Sequence, residues 1–207
     1  MTEPAPVPAA PRVVLASASA VRRRLLEGAG VAVTVAPAHI DEDEIKRAMR
    51  AEGAGAADAA VALAELKARR VSRDHAGALV IGADQILDLD GEWFDKPPDM
   101  DHAKAHLRTL GGRIHGLATA ACVVRDGQRI WHHVATPRLT MRPLSEGFVE
   151  GYLARAGADV LGSVGAYRLE GLGAQLFSRI EGDFFAILGL PLLPLLDFLR
   201  EHGAIPR

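Results

Sequence analysis

Four stretches of this chain carry residue types suited to chemistry. The first is Leu15-Ala16-Ser17-Ala18-Ser19-Ala20-Val21-Arg22-Arg23-Arg24, where an apolar run stops at two hydroxyls and arginines follow. Hydroxyls, guanidinium forks and the free N–H groups of a helix start together suit an anion, most often phosphate. A solvated basic helix cap is the plainer alternative, but basic residues there oppose the helix dipole, which an anion would relieve. The second is Ile81-Gly82-Ala83-Asp84-Gln85-Ile86. An aspartate inside an apolar strand costs on the order of a few kcal/mol to desolvate unless it is paired or metal-bound. A bulge or a solvent-facing edge would also explain it; the flanking Gly82 favours a site. The third is Phe94-Asp95-Lys96-Pro97-Pro98, where a stiff extended segment would hold the lysine as a fixed point charge, although a surface turn fits equally. The fourth is Ala166-Tyr167-Arg168-Leu169-Glu170-Gly171-Leu172-Gly173, with Glu170 beside a glycine-flanked turn that a simple loop would also explain.

Other chemistries are poorly supplied. His39, His102, His106, His115, His132 and His133 show no ligand spacing such as H-E-x-x-H, which argues against histidine–zinc chemistry. His102 and His106 share a predicted helix and are expected to face solvent. There is no G-x-x-x-x-G-K-[ST] phosphate loop and no G-x-S-x-G nucleophile elbow. Cys122 sits in an apolar strand as a buried structural thiol, and as the only cysteine it has no internal disulfide partner.

These residues need a frame to position them. Val13 to Ala16 reads as a strand, Arg22 to Glu27 as a helix stopped by Gly28 and Gly30, and Val31 to Val35 as a β-branched strand. Asp41 to Met49 and Ala57 to Ser72 read as helices, and Leu79 to Leu87 as a strand with a polar interruption at Asp84-Gln85. Asp90-Gly91 signals a hairpin turn, and Met100 to Leu110 a helix ended by Gly111-Gly112. Ile114 to Val124 and Arg129 to Met141 read as long strands about Asp126-Gly127. Ser145 caps a helix to Ala156, Gly162 to Gly173 is irregular, and Pro191 to Glu201 is a final helix. Early alternation followed by hairpins predicts a mixed α/β sheet. No internal repeat or linker divides the chain.

The whole-chain properties narrow the function classes. With 207 residues, a single domain over 12–207 is expected after a disordered tail at 1–11, marked by Pro4, Pro6, Pro8 and Pro11. Hydrophobic residues make up 49% and charged residues 24%, which excludes wholesale disorder. A formal charge of −2 removes the electrostatic basis for nucleic-acid binding. The longest apolar stretch, Phe184 to Leu196, contains Gly189, Pro191 and Pro194 and falls short of the roughly 20 residues of a spanning helix. It reads as a buried strand, a turn and a helix start. No secretion signal is seen, so a cytoplasmic location away from membranes is expected.

The ordered set of segments resembles the Maf family of septum-formation-inhibitor-like nucleoside triphosphate pyrophosphatases, over about residues 12–202. The resemblance rests on L-A-S-A-S-A-V-R-R at Leu15 to Arg23, L-A-E-L-K-A at Leu63 to Ala68, I-G-A-D-Q at Ile81 to Gln85 and D-K-P at Asp95 to Pro97. G-G-R-I-H with Thr119, G-A-Y-R-L-E-G-L-G-A at Gly165 to Ala174 and E-G-D-F-F-A-I-L-G-L-P at Glu181 to Pro191 complete it. It implies a Maf/ITPase-like fold, a central mixed twisted sheet flanked by helices with two lobes around a cleft. It also implies hydrolysis of the α–β phosphoanhydride of a nucleoside triphosphate, with Mg²⁺ or Mn²⁺. Asp84 matches the family's general base, and Ser17, Ser19, Arg22, Lys67 and Lys96 match its phosphate contacts. Asp84 would orient and deprotonate water or hold the metal; Asp41 and Glu42 are further metal candidates. Homodimerisation and the removal of abnormal nucleotides are expectations of the resemblance alone.

The commoner branch, acting on dTTP and UTP, carries S-P-R-R, G-A-D-T and Y-x-I-Q. Here those positions read Ser19-Ala20-Val21-Arg22, Ala83-Asp84-Gln85 and Tyr167-Arg168-Leu169-Glu170. Gln85 and Glu170 follow the branch acting on 7-methyl-GTP, whereas Val21 departs from that branch's tryptophan and removes a stacking surface. N7-methylation makes guanine cationic, and the Glu170 carboxylate would offset that charge while accepting from N1–H and N2–H. A pyrimidine-specific enzyme and a nucleotide-binding regulator without turnover are the rival readings. Retention of Asp84 among the cations argues against the regulator.

Overall fold

The computed structural model describes residues 10–207. The tail expected at 1–11 therefore lies outside the described residues, except for its last two positions. One eight-stranded mixed sheet organises the chain. Its first part is parallel: β1 (Val13–Leu15) lies between β2 (Val33–Val35) and β3 (Leu79–Leu89). Parallel neighbours need crossovers. Helix α1 (Ala20–Gly28) joins β1 to β2, and α2 (Glu42–Ala51) and α3 (Ala56–Ser72) lead on to β3.

The remainder is antiparallel. Asp90 and Gly91, both at positive φ, turn β3 back into β4 (Glu92–Phe94). After α4 (Met100–Leu110), β5 (Ile114–Arg125) runs along the other edge of β3. Both β6 (Gln128–Ala135) and β7 (Arg138–Met141) pair with β5, at different heights. Helix α5 (Glu146–Ala156) and three short 3₁₀ turns precede β8 (Phe177–Glu181), which pairs with β7. The chain then forms α6 (Phe184–Ile187) and α7 (Leu192–Glu201).

Strand β3 is buried almost throughout because helices cover both of its faces. On one face, Ala60, Leu63 and Ala64 of α3 pack on Ile86, Ala118, Ala120 and Cys122. On the other, Leu195, Leu196 and Leu199 of α7 pack on Leu15, Ile81 and Ala83. A further cluster about Leu87, Leu107, Leu117, Leu139 and Tyr152 fastens α4 and α5 to the far end of the sheet. One edge of β3 is interrupted. Pairing with β1 ends at Ile81 and pairing with β4 begins at Leu87, so Gly82 to Ile86 has no strand neighbour there among the described residues.

The expected mixed sheet flanked by helices is thus present, with local corrections. Arg129 to Met141 is not one strand, because Pro137 cannot donate to a ladder and the chain changes its partner segment on β5 there. Phe184 to Ile187 is a helical turn, not the expected strand: the Asp183 carboxylate accepts the N–H groups of Phe185 and Ala186 at 3.0 and 3.2 Å. His106 is half-buried rather than fully solvent-facing. Its ring lies edge-on to Phe94 at 5.1 Å, with a buried Nδ1 lacking a partner among the described residues. No helix among the described residues is long and apolar enough to cross a membrane.

Cys122 is fully buried, and burial pushes its thiol up to about 12. The folded protein is therefore expected to leave a thiol reagent such as dithionitrobenzoate unconsumed at pH 8, with one equivalent released after denaturation. Absorbance at 412 nm checks this.

Candidate active site

The interruption in the sheet is where the charged residues meet. β1 ends at Leu15, and the chain turns through Ser17 into α1 with Ser19 as its N-cap. Ser19 Oγ accepts the Arg22 N–H at 3.3 Å, while Ser17 Oγ accepts from Ser19 N–H at 3.2 Å and Arg22 Nη1 at 3.1 Å. Both hydroxyl oxygens serve as acceptors, which leaves each hydroxyl proton available to an oxyanion. The first turn of α1 contains no acidic residue. A helix start with free hydroxyl protons and no acid in its first turn is suited to an anion.

Only Arg22 of the three arginines turns inward. Its Nε donates to Gly189 O at 2.7 Å and its Nη1 to Ala83 O at 2.8 Å, tying α1 to the open edge of β3 and to the turn after α6. Gly189 holds a φ of 102°, a backbone region that favours glycine. Burial lowers the Arg22 pKa, against an opposing influence from Asp84 and Glu42, but the guanidinium stays charged. Nη2 has no partner among the described residues.

Asp84 and Lys67 form the centre. Strand alternation puts Gly82, Asp84 and Ile86 on the α3 face, and Lys67 Nζ reaches Asp84 Oδ1 at 2.6 Å. Gly82 permits this approach, since a Cβ there would overlap the Ala64 carbonyl. Both charged side chains are buried, at 6% exposure for Lys67 and 4% for Asp84. Such burial is tolerable only with partners. Lys67 has a second one, Glu42 Oε1 of α2 at 2.9 Å. Burial alone would raise the Glu42 carboxyl, but Lys67, with Lys46 and Lys96, more than reverses this and holds it below its ordinary value. The stabilising contact is therefore present at neutral pH and lost only as pH falls through that lowered value.

Asp84 Oδ2 is buried without a hydrogen-bond partner. A buried orphan carboxylate oxygen beside a cationic cluster is an acceptor awaiting a proton donor or a cation. Lys96 stands at the rim with no ion-pair partner among the described residues. Although it retains solvent access, surrounding protein and the nearby Arg22 and Lys67 lower its pKa. A cluster of cations that repel one another favours a polyanion.

Ser17, Ser19, Arg22, Glu42, Lys67, Asp84 and Lys96 thus belong to one constellation. The remaining expected residues lie apart from it. Asp41 is the N-cap of α2, its Oδ1 accepting the Glu44 N–H at 2.9 Å. Val21 is half-buried in the first turn of α1. Gln85 points to the sheet face opposite Asp84, its Nε2 donating to Thr119 Oγ1 and Ala186 O at 2.9 Å and to Ile187 O at 3.1 Å. Glu170 sits beyond the second 3₁₀ turn, where its Oε1 accepts Arg168 Nε at 3.1 Å and Nη2 at 3.0 Å. Arg168 Nη1 also reaches Asp159 at 3.1 Å. Sequence reasoning overlooked Lys46, one turn after Glu42 on α2; the i, i+4 spacing was the available signal.

No group of three or more His, Cys, Asp or Glu residues among the described residues suits a metal ion. Two carboxylates converge on Lys67 Nζ, however, and one keeps its orphan oxygen. That donor set fits Mg²⁺ held by one or two carboxylates plus substrate phosphates, and does not fit an all-protein cage.

Several known proteins are similar to this chain over nearly its whole length. A nucleoside triphosphate pyrophosphatase of Granulibacter bethesdensis is 56% identical, the match covering 94% of this chain and 98% of that protein. Another, from Paramagnetospirillum magneticum, is 57% identical over 93% of this chain and 99% of its own length. A 7-methyl-GTP pyrophosphatase of Rhizobium meliloti is 53% identical, covering 94% of this chain and 98% of that protein. The family model described as Maf-like protein matches residues 12–202, which take in every member of the constellation around Asp84. The chain belongs to the Maf-like protein family.

Proposed function

We propose that this protein is a nucleoside triphosphate pyrophosphatase that hydrolyses the α–β phosphoanhydride to a nucleoside monophosphate and pyrophosphate. The observation that carries the reading is Asp84, a buried acid with one free oxygen, set among Arg22, Lys67 and Lys96 at the break in the sheet. A triphosphate needs several positive groups, because charge on its oxygens must be stabilised as the bond breaks. The Ser17 and Ser19 hydroxyls and the start of α1 hold phosphate oxygens, with Lys96 and Arg22 Nη2 completing the contacts. Lys67 pairs with Asp84 Oδ1 at 2.6 Å and so fixes the orientation of the carboxylate. Asp84 Oδ2 takes the proton of the attacking water as the new P–O bond forms and the α–β bridge breaks. Mg²⁺ or Mn²⁺ held by Glu42 together with the substrate phosphates would neutralise charge on those phosphates.

Within this chemistry, 7-methyl-GTP is the proposed substrate. Glu170 Oε2 and Gln85 Oε1 have no partner among the described residues, so each offers an acceptor to a purine N–H. Arg168 would cancel the Glu170 charge, but Asp159 on the same guanidinium leaves the trio one net negative charge for a cationic ring. The Rhizobium meliloti relative bears the corresponding name.

Pyrophosphate release from a panel of GTP, 7-methyl-GTP, dTTP and UTP tests both levels. The methylated nucleotide is expected to have the highest kcat/KM. Glu170→Gln is expected to lower that value about tenfold for 7-methyl-GTP, the loss of roughly one charge-assisted hydrogen bond, and less for GTP. Equal losses for both would remove Glu170 from base reading. Preference for a pyrimidine would remove the methylguanine assignment and keep the chemistry, and no release from any nucleotide would remove both.

A further inference from the structure

Helix α2 presents Glu42, Lys46 and Arg50 along one face at i, i+4 and i+8. None of its residues is fully buried, and Ile45 and Met49 give it only a partial apolar seat. Its hold on the body is largely electrostatic. Glu42 meets Lys67, Lys46 Nζ meets Asp95 Oδ1 at 2.8 Å, and Arg50 Nη2 lies 3.7 Å from Asp95 Oδ2. Arg50 Nη2 also donates to Trp93 O at 3.0 Å, with the guanidinium 5.0 Å from the Trp93 ring centre.

Lys46 is the unusual member. Its side chain is 12% exposed against 47% for Asp95, so the ammonium points inward from a partner lying outside it. Asp84 and Glu42 as well as Asp95 act on its charge, which places it in the field of the carboxylates at the break in the sheet. In the free protein Lys67 is committed to two carboxylates and Arg22 to two carbonyls and a hydroxyl. Few free cations remain to meet a triphosphate. Asp95, by contrast, is served twice, so Lys46 can leave it while Arg50 stays.

From this arrangement we infer that Lys46 is a further substrate-binding residue, a cation parked on Asp95 that transfers to the outer phosphates and draws α2 over them. The inference rests on the pyrophosphatase reading. The parked state keeps the ammonium paired until the polyanion arrives, and transfer exchanges one ion pair for another at small cost.

Two substitutions break the same ion pair and are expected to act in opposite directions. Lys46→Gln should raise the KM for the best triphosphate and weaken inhibition by inorganic tripolyphosphate, each about tenfold as for one lost charged contact, with kcat within about threefold. Asp95→Asn releases Lys46 and should leave both values unchanged or lower them, and Lys46→Arg should restore most of the affinity. If both Lys46→Gln and Asp95→Asn weaken binding, the pair merely anchors α2 and the inference fails. It also fails if Lys46→Gln binds as the unmodified protein does. Should the unmodified protein release no pyrophosphate, the parent reading fails instead. Calorimetric titration of tripolyphosphate into the same proteins then still judges Lys46.

Discussion

Asp84→Asn is expected to reduce kcat for pyrophosphate release by about three orders of magnitude, within the usual range for loss of a positioned general base. The amide keeps the shape of the carboxylate, so packing against α3 should survive. It cannot accept the proton from water at Oδ2, the oxygen that has no other partner. Nor does the change strand the buried Lys67, because Glu42 still lies 2.9 Å away. Loss of a buried ion-pair partner costs most when the remaining charge is left alone. The substitution should therefore strike turnover harder than stability, with tripolyphosphate still bound. Steady-state kinetics beside thermal melting separates the outcomes. Near-normal kcat would remove the catalytic role, and a collapsed melting transition would make Asp84 a structural residue first.

The second large effect falls on Gly82, which touches no substrate. A Cβ at this position would overlap the Ala64 carbonyl oxygen and lie 2.9 Å from Ala68 N and 3.0 Å from Ala64 C. These are backbone atoms inside α3, so no side chain can swing aside. Gly82→Ala should destabilise the protein by about 3 kcal/mol, at the severe end of overpacking. Chemical denaturation would measure it. The substitution should also cost activity in the protein that remains folded, because α3 carries Lys67 and must move away from Asp84. Gly147→Ala provides the contrast. It lies in the first turn of α5 with no atom outside the local helix backbone within 4 Å of the new methyl, and should be neutral or stabilising by less than about 1 kcal/mol. Similar stabilities for the two variants would mean that close approach of α3 to β3 is not what position 82 requires.

Much of the frame was legible because it depends on local signals. Met100 to Leu110 has the predicted bounds, and Ser145 caps α5 as predicted, accepting the Phe148 N–H at 3.2 Å. Two short strands, β4 and β8, were not legible. β4 and β8 exist because β3 and β7 offer them an edge, and Glu92–Phe94 alone carries too few residues for a period. The helical turn at Phe184–Ile187 was obscured for a related reason: its apolar run suits a strand, and the Asp183 cap reversed the preference.

At the site, residue types announced the chemistry. A strand broken by an acid, a hydroxyl-rich turn entering a basic helix and a lysine before prolines are features of a few neighbouring residues, set by desolvation cost and backbone geometry. The sequence by itself therefore determined most of the charged and hydroxyl groups that gather around Asp84. It did not determine who faces whom. That Lys67 bridges Asp84 and Glu42, that Arg22 holds Gly189 across 167 positions, and that Gln85 meets the carbonyls of Ala186 and Ile187 follow from the packing of α2, α3 and α6 on β3. Only the tertiary structure decided these pairings, because local preferences extend over a turn or a strand, whereas the partner of a buried charge is chosen by whichever distant element closes over it.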